Sequence, residues 1–198
     1  MNNPEDHSFY PESPEAWRDW LAEHHATSSG VWVIFYKKAS GKPSLSWSEA
    51  VDEALCFGWI DSKPNKRDEE SSYRYFSPRN PKSNWSRVNK EKIAQLTAED
   101  RMAPAGLTMV EEAKRRGTWT ALDALENLEV PPDLQAALGA VPQALEHWEA
   151  FPKSTKKAIL EWIMNAKRPE TRQHRIEETA RLAGENIRAN QWRQPKGK

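Results

Sequence analysis

The chain has 198 residues, no net formal charge and a single cysteine. That length admits one large domain or two smaller ones, the balanced charge argues against wholesale nucleic-acid binding, and one cysteine excludes an intramolecular disulfide and a cysteine-based zinc site. A mean hydropathy of −0.89 is low for a folded chain, but ten Trp, five Phe and four Tyr supply burial, because each aromatic ring removes about 150–250 Å² from water.

Met1–His7 and Gln194–Lys198 are polar, lack apolar spacing and are expected to be disordered. Ser13-Pro14-Glu15 predicts a helix start with Ser as N-cap, and Trp17, Trp20 and Leu21 share one face. That helix is expected to end near Ser28-Ser29-Gly30. Val31–Tyr36 is β-branched and aromatic, so it predicts a buried central strand stopped by the turn Ser40–Pro43. Ser46-Trp47-Ser48-Glu49 has capping-box spacing before a helix that Gly58 terminates. Two further strands, Trp59–Lys63 and Tyr73–Phe76, are expected to pair antiparallel across the charged turn Pro64–Glu70.

From Ser86 onward only helical patterns recur: 86–99, then 104–116 between Pro104 and Gly117, then 119–127 through Trp119, Leu122 and Leu125. After Val130-Pro131-Pro132 come shorter pieces at 133–138 and 142–150 and a helix that Ser154 is expected to cap. Pro169 opens a last helix carrying Ile176, Thr179, Ala180, Ala183 and Ile187. The expected fold is α+β, with a small antiparallel sheet and helices in residues 1–100 packed against a helical region, 101–198, in one shared core.

Charge falls in alternating blocks. Residues 1–62 carry 4 basic and 10 acidic side chains, 63–101 carry 10 and 6, 102–152 carry 3 and 8, and 153–198 carry 12 and 5. Two basic segments stand at predicted helix starts, where free N–H groups and the helix dipole favour an anion. One is the loop Ser77–Asn89, with Arg79, Lys82, Arg87 and Asn89 and with Trp85 as a stacking face; the other is Lys167–Arg175, with Lys167, Arg168, Thr171, Arg172 and Arg175. Positive charge at a helix start needs compensation, from a protein carboxylate such as Glu177 or Glu178 or from a ligand. The leading expectation is that both segments serve one small anionic ligand bearing phosphate or carboxylate.

Two alternatives stand beside it. Asp61 and Lys63 alternate onto one strand face, and Asp61 is the candidate acid or base of an enzyme with an arginine clamp. Nucleic-acid binding with Trp85 or Tyr75 stacking is the other. Cys56 reads as a buried small hydrophobe, since the nearby helix end hinders thiolate formation. The histidines have no metal-ligand spacing, Ser154-Thr155-Lys156-Lys157 lacks the companion motifs of a penicillin-recognising enzyme, and neither a metal nor a cofactor is expected.

The segments Ala50–Asp61, Ser77–Asn89, Met102–Gly106 and Ala166–Arg172 together resemble the YdeI/OmpD-associated family, also labelled bacteriocin-protection proteins, over Pro14 to Leu182. The resemblance implies a bacterial role in stress or in resistance to envelope-acting peptides and brings no catalytic residue with it. It also suggests a periplasmic home. The sequence departs from that, with no export signal and no stretch of the roughly 18 apolar residues a membrane helix needs, so a cytoplasmic protein without membrane insertion is expected.

Overall fold

The first helix begins where Ser13-Pro14 predicts. In the computed structural model, which describes residues 4–190, the Ser13 hydroxyl accepts from the Ala16 N–H at 3.3 Å and Pro14 fills the first turn of α1 (Pro14–His24). The second helix, α2 (Trp47–Cys56), starts with the expected capping box: Ser46 accepts from the Glu49 N–H, and Glu49 accepts from the Ser46 N–H at 2.7 Å. Gly58, at φ +75°, turns the chain out of α2 into a strand, a conformation that glycine adopts without strain.

Four strands form the sheet of the described residues: β1 (Ser8–Phe9), β2 (Val31–Tyr36), β3 (Trp59–Lys66) and β4 (Ser71–Pro78), in the order β1-β2-β4-β3. The β2 strand is central, as its apolar run predicts, and pairs antiparallel with β4, which pairs antiparallel with β3. Two features were not foreseen. The two-residue β1 adds parallel to β2, and β3 and β4 run beyond their apolar cores, with an irregularity between Asp61 and Pro64.

Alternation sorts the sheet into two faces. Val31, Val33, Trp59 and Phe76 point to α1 and α2 and are buried with Trp17, Leu21, Ala50, Val51, Ala54 and Leu55. The indoles satisfy their N–H groups on the way in: Trp17 donates to the Ala50 carbonyl at 3.0 Å and Trp59 to the His25 carbonyl at 3.2 Å. The opposite face carries Trp32, Tyr73 and Tyr75 in ring contact, Trp32 lying 5.1 Å from Tyr75 and 6.0 Å from Tyr73.

Helices α3 (Arg87–Ala98) and α4 (Pro104–Arg115) complete the same core through Ile93, Leu96, Val110 and Ala113. A Cβ on Gly106 would lie 2.2 Å from the Cys56 carbonyl oxygen, so glycine alone permits α4 to approach the end of α2 this closely. The first compact unit extends to Leu122, and the second begins at Asp123.

The second unit is helical: α5 (Asp123–Glu126), α6 (Pro132–Ala140), α7 (Ala144–Ala150), α8 (Lys153–Met164) and α9 (Pro169–Gly184). Helices α6, α7 and α8 all pack on α9. Leu134, Leu138, Trp148, Ile159, Ile163, Ile176, Ala180 and Ala183 are buried, at the three- and four-residue spacings that put each helix's apolar residues on one face. Three boundaries differ from expectation. The 119–127 segment is helical only over α5. Pro152, not Ser154, stands at the N-cap of α8, and α9 stops at Gly184, leaving Ile187 47% exposed. Pro4–His7, expected to be disordered, forms a 3-10 turn, whereas Met1–Asn3 and Gln194–Lys198 lie outside the described residues.

Candidate functional site

The Ser77–Asn89 loop leaves the sheet at the end of β4 and enters α3. Its backbone is anchored at both ends, Arg79 N–H donating to the Gly58 carbonyl at 2.9 Å and Trp85 N–H to the Thr118 carbonyl at 3.2 Å. Between the anchors Asn80–Asn84 is exposed, Asn80 bonding the backbone N–H of Lys82 at 2.9 Å. Ser86 caps α3, accepting from the Asn89 N–H at 3.4 Å.

Arg79 is the unusual residue of the loop. It is only 6% exposed, and its guanidinium lies 4.0 Å from the centre of the Trp85 ring. One nitrogen, Nη2, donates to the Asn84 carbonyl at 2.6 Å; among the described residues Nε is buried with no partner and no carboxylate pairs with the group. Burial without a counter-charge disfavours the charged form and pushes the guanidinium below its ordinary pKa. Such a buried cation carries a desolvation penalty of several kcal/mol that its one carbonyl and one ring offset only in part.

The first turn of α3 holds no acidic residue, and Arg87 and Lys90 lie within it. Trp85 packs against Trp119 at 5.0 Å, and the ammonium groups of Lys90 and Lys114 approach the Trp119 ring. Lys82 and Arg87 are exposed, while Asn89 is half-buried. Trp85 itself is 2% exposed, so its rings belong to the core and are closed to a stacking base.

The second basic segment, in the other unit, has a different chemistry. Arg172 makes a two-pronged contact with Asp133 of α6, both nitrogens at 3.0 Å, and Arg175 donates to the Trp162 carbonyl with its guanidinium 5.0 Å from that ring. The compensating carboxylate is thus Asp133 rather than Glu177 or Glu178. Lys167 and Arg168 are exposed at the start of α9 and Thr171 is half-buried.

Asp61 does not pair with Lys63, which is exposed. Its carboxylate instead accepts from Arg74 across the strands at 2.7 Å and from the Trp47 indole at 2.8 Å, and Arg74 lies 4.7 Å from the Trp47 ring. The irregular register after Asp61 breaks the alternation that would have set it beside Lys63. A carboxylate held by two donors is poorly placed to take a proton from a substrate.

One charged cluster was not foreseen. Glu53, 4% exposed, bridges Arg18 at 2.7 Å and Arg101, while Arg18 also donates to the Arg101 carbonyl at 2.8 Å. Cys56, one helical turn away, is fully buried, and burial with the nearby Glu53 pushes its thiol pKa up. Among the described residues no group of His, Cys, Asp and Glu is arranged to hold a metal, and no helix is long and apolar enough to cross a membrane.

Residues 9–109 match the model of a family described as a domain of unknown function, DUF8412. Residues 127–186 match that of a family described as bacteriocin-protection, YdeI or OmpD-associated. The sequence resemblance spanning Pro14–Leu182 is therefore divided between two family descriptions. No curated protein and no solved structure matches the chain.

Proposed function

The chain belongs to the DUF8412 family through its first half and to the YdeI/OmpD-associated family through residues 127–186, and on that premise we propose that its first unit binds a small anion, phosphate- or carboxylate-bearing, at the Ser77–Asn89 loop. The observation that carries this reading is the buried Arg79 guanidinium, which among the described residues has no carboxylate partner and an idle Nε donor. An anion at the loop supplies the counter-charge, and the first turn of α3, which holds no acidic residue, favours the same sign of ligand through the helix dipole. Arg79 is the central residue of the site, with Lys82, exposed in the same loop, drawing the anion toward it.

The two alternatives have less support. Asp61 is committed to Arg74 and Trp47, and Trp85 is inside the core. Protection against bacteriocins is the biological setting that the matched family's description suggests for such a binding protein.

Thermal unfolding in the presence of inorganic phosphate, nucleotides and small carboxylates tests the proposal, since a ligand that binds only the folded state raises the midpoint. The expected result is a rise that grows with the logarithm of anion concentration and is absent in Arg79→Met. Equal rises in both proteins, or none in either, overturn it.

A further inference from the structure

The sheet face turned away from α1 and α2 carries a second feature, independent of the arginine loop. The α1–β2 connection, Thr27–Gly30, and the 3-10 turn, through Pro4 and His7, border a cavity of about 760 Å³ over Trp32, Tyr75, Ser62 and Asn65. That volume falls within the range of about 300–1,000 Å³ typical of small-molecule sites.

The cavity is built rather than incidental. Trp32 and Tyr75 face it as a pair of rings 5.1 Å apart and inclined by 55°. A Cβ on Gly30 would lie 2.1 Å from the Tyr75 hydroxyl, so the glycine, at φ +151°, is what lets Tyr75 lie against the connection. Ser28 fixes that connection by accepting from the Gly30 N–H and donating to its carbonyl, both at 3.2 Å.

Its chemistry selects a ligand class. Among the described lining residues none is Asp, Glu, Lys or Arg and one, His7, is an imidazole, so these residues offer an ammonium group no carboxylate and a phosphate no Lys or Arg. A purely apolar ligand would strand polar groups, because the Trp32 indole N–H, the Ser29 hydroxyl and the Asn65 amide make no side-chain hydrogen bond within the described residues. What fits is an uncharged ring with an apolar face and a polar rim. A pyranose has that form: its C–H face lies on an aromatic ring while its hydroxyls reach donors and acceptors around the edge.

We infer that this groove is a binding site for a neutral saccharide, with Trp32 and Tyr75 as the ring platform and Asn65 and Ser29 as polar contacts. The test is a ¹H–¹⁵N NMR titration of the full chain, with the Trp32 indole signal assigned through Trp32→Phe. Cellobiose, maltose and N,N′-diacetylchitobiose are the probes, with tetramethylammonium chloride and triglycine as rivals. At least one saccharide is expected to shift the Trp32 indole and Gly30 amide signals saturably. Asn65→Ala, at an exposed position, weakens that binding about five-fold, the loss of one hydrogen bond, and leaves the unfolding midpoint unchanged. Arg79→Met leaves saccharide binding intact, which separates this site from the anion site. Silence from all three saccharides, a response to tetramethylammonium or triglycine alone, or an unchanged affinity in Asn65→Ala overturns the inference.

Discussion

Replacing Glu53 by Gln removes one charge and little volume from the best-defined ion-pair cluster in the first unit. Glu53 is 4% exposed and its two carboxylate oxygens each take a guanidinium hydrogen bond, from Arg18 and Arg101. The variant leaves those two cations facing an amide whose NH₂ group opposes one of them. A hydrogen bond to a charged group contributes about 1.5–3 kcal/mol, and breaking a buried pair by removing one partner costs about 3–5 kcal/mol. Both arginine side chains are 37% exposed and regain water, which discounts the cost to about 2–3 kcal/mol. Urea unfolding followed by tryptophan fluorescence reads the loss as a lower midpoint at constant slope, and hydrogen exchange at α2 amides ties it to this unit. Glu49→Gln is the internal control: Glu49 is an exposed capping partner, so its loss is under about 1 kcal/mol. A Glu53→Gln effect no larger than that control would refute the reasoning.

Gly106→Ala places a methyl group against the Cys56 carbonyl, where an ideal Cβ would stand 2.2 Å away; helix propensity alone would favour Ala by about 1 kcal/mol, so a net loss in the unfolding free energy identifies close packing of α4 on α2 as the dominant effect. Cys56 is expected to resist thiol reagents in the native protein and to react on unfolding. Because burial raises its folded pKa, the unfolded chain releases this proton first. Stability from this group is therefore complete below the thiol's unfolded pKa of about 8.5 and declines as pH rises above it. Cys56→Ala should flatten that alkaline decline in pH-dependent urea titrations, and an unchanged slope contradicts the assignment.

Features controlled by local chemistry were legible in the sequence. The Ser13 and Ser46 caps and the Gly58 turn follow from contacts within a few residues, and β2 from a local β-branched and aromatic run. Features controlled by distant partners were not. Glu53 finds Arg18 and Arg101 at separations of 35 and 48 residues, and Asp61 finds Arg74 through a strand register that a bulge resets. The outer part of β3, Pro64–Lys66, is polar and exposed on both sides, so apolar alternation could not reveal it. Trp119 drew a helix prediction because its spacing to Leu122 and Leu125 mimics one, yet its ring is used against Trp85. The Ser77–Asn89 loop stood out by its charge density, but the burial of Arg79 without a carboxylate emerges only when Trp85 folds beneath it. The saccharide groove had no sequence signature at all, since its lining comes from the 3-10 turn, one connection and three strands.

The Arg79 Nε–H resonance gives the most direct view of the anion site. In a titration of the full chain with inorganic phosphate at fixed ionic strength, this signal should shift saturably and exchange more slowly with water, while Arg79→Lys, which retains a charge but lacks the Nε donor, binds more weakly. An Nε–H signal that stays still while phosphate binds elsewhere, or that shows no phosphate response up to the highest soluble concentration, contradicts the account.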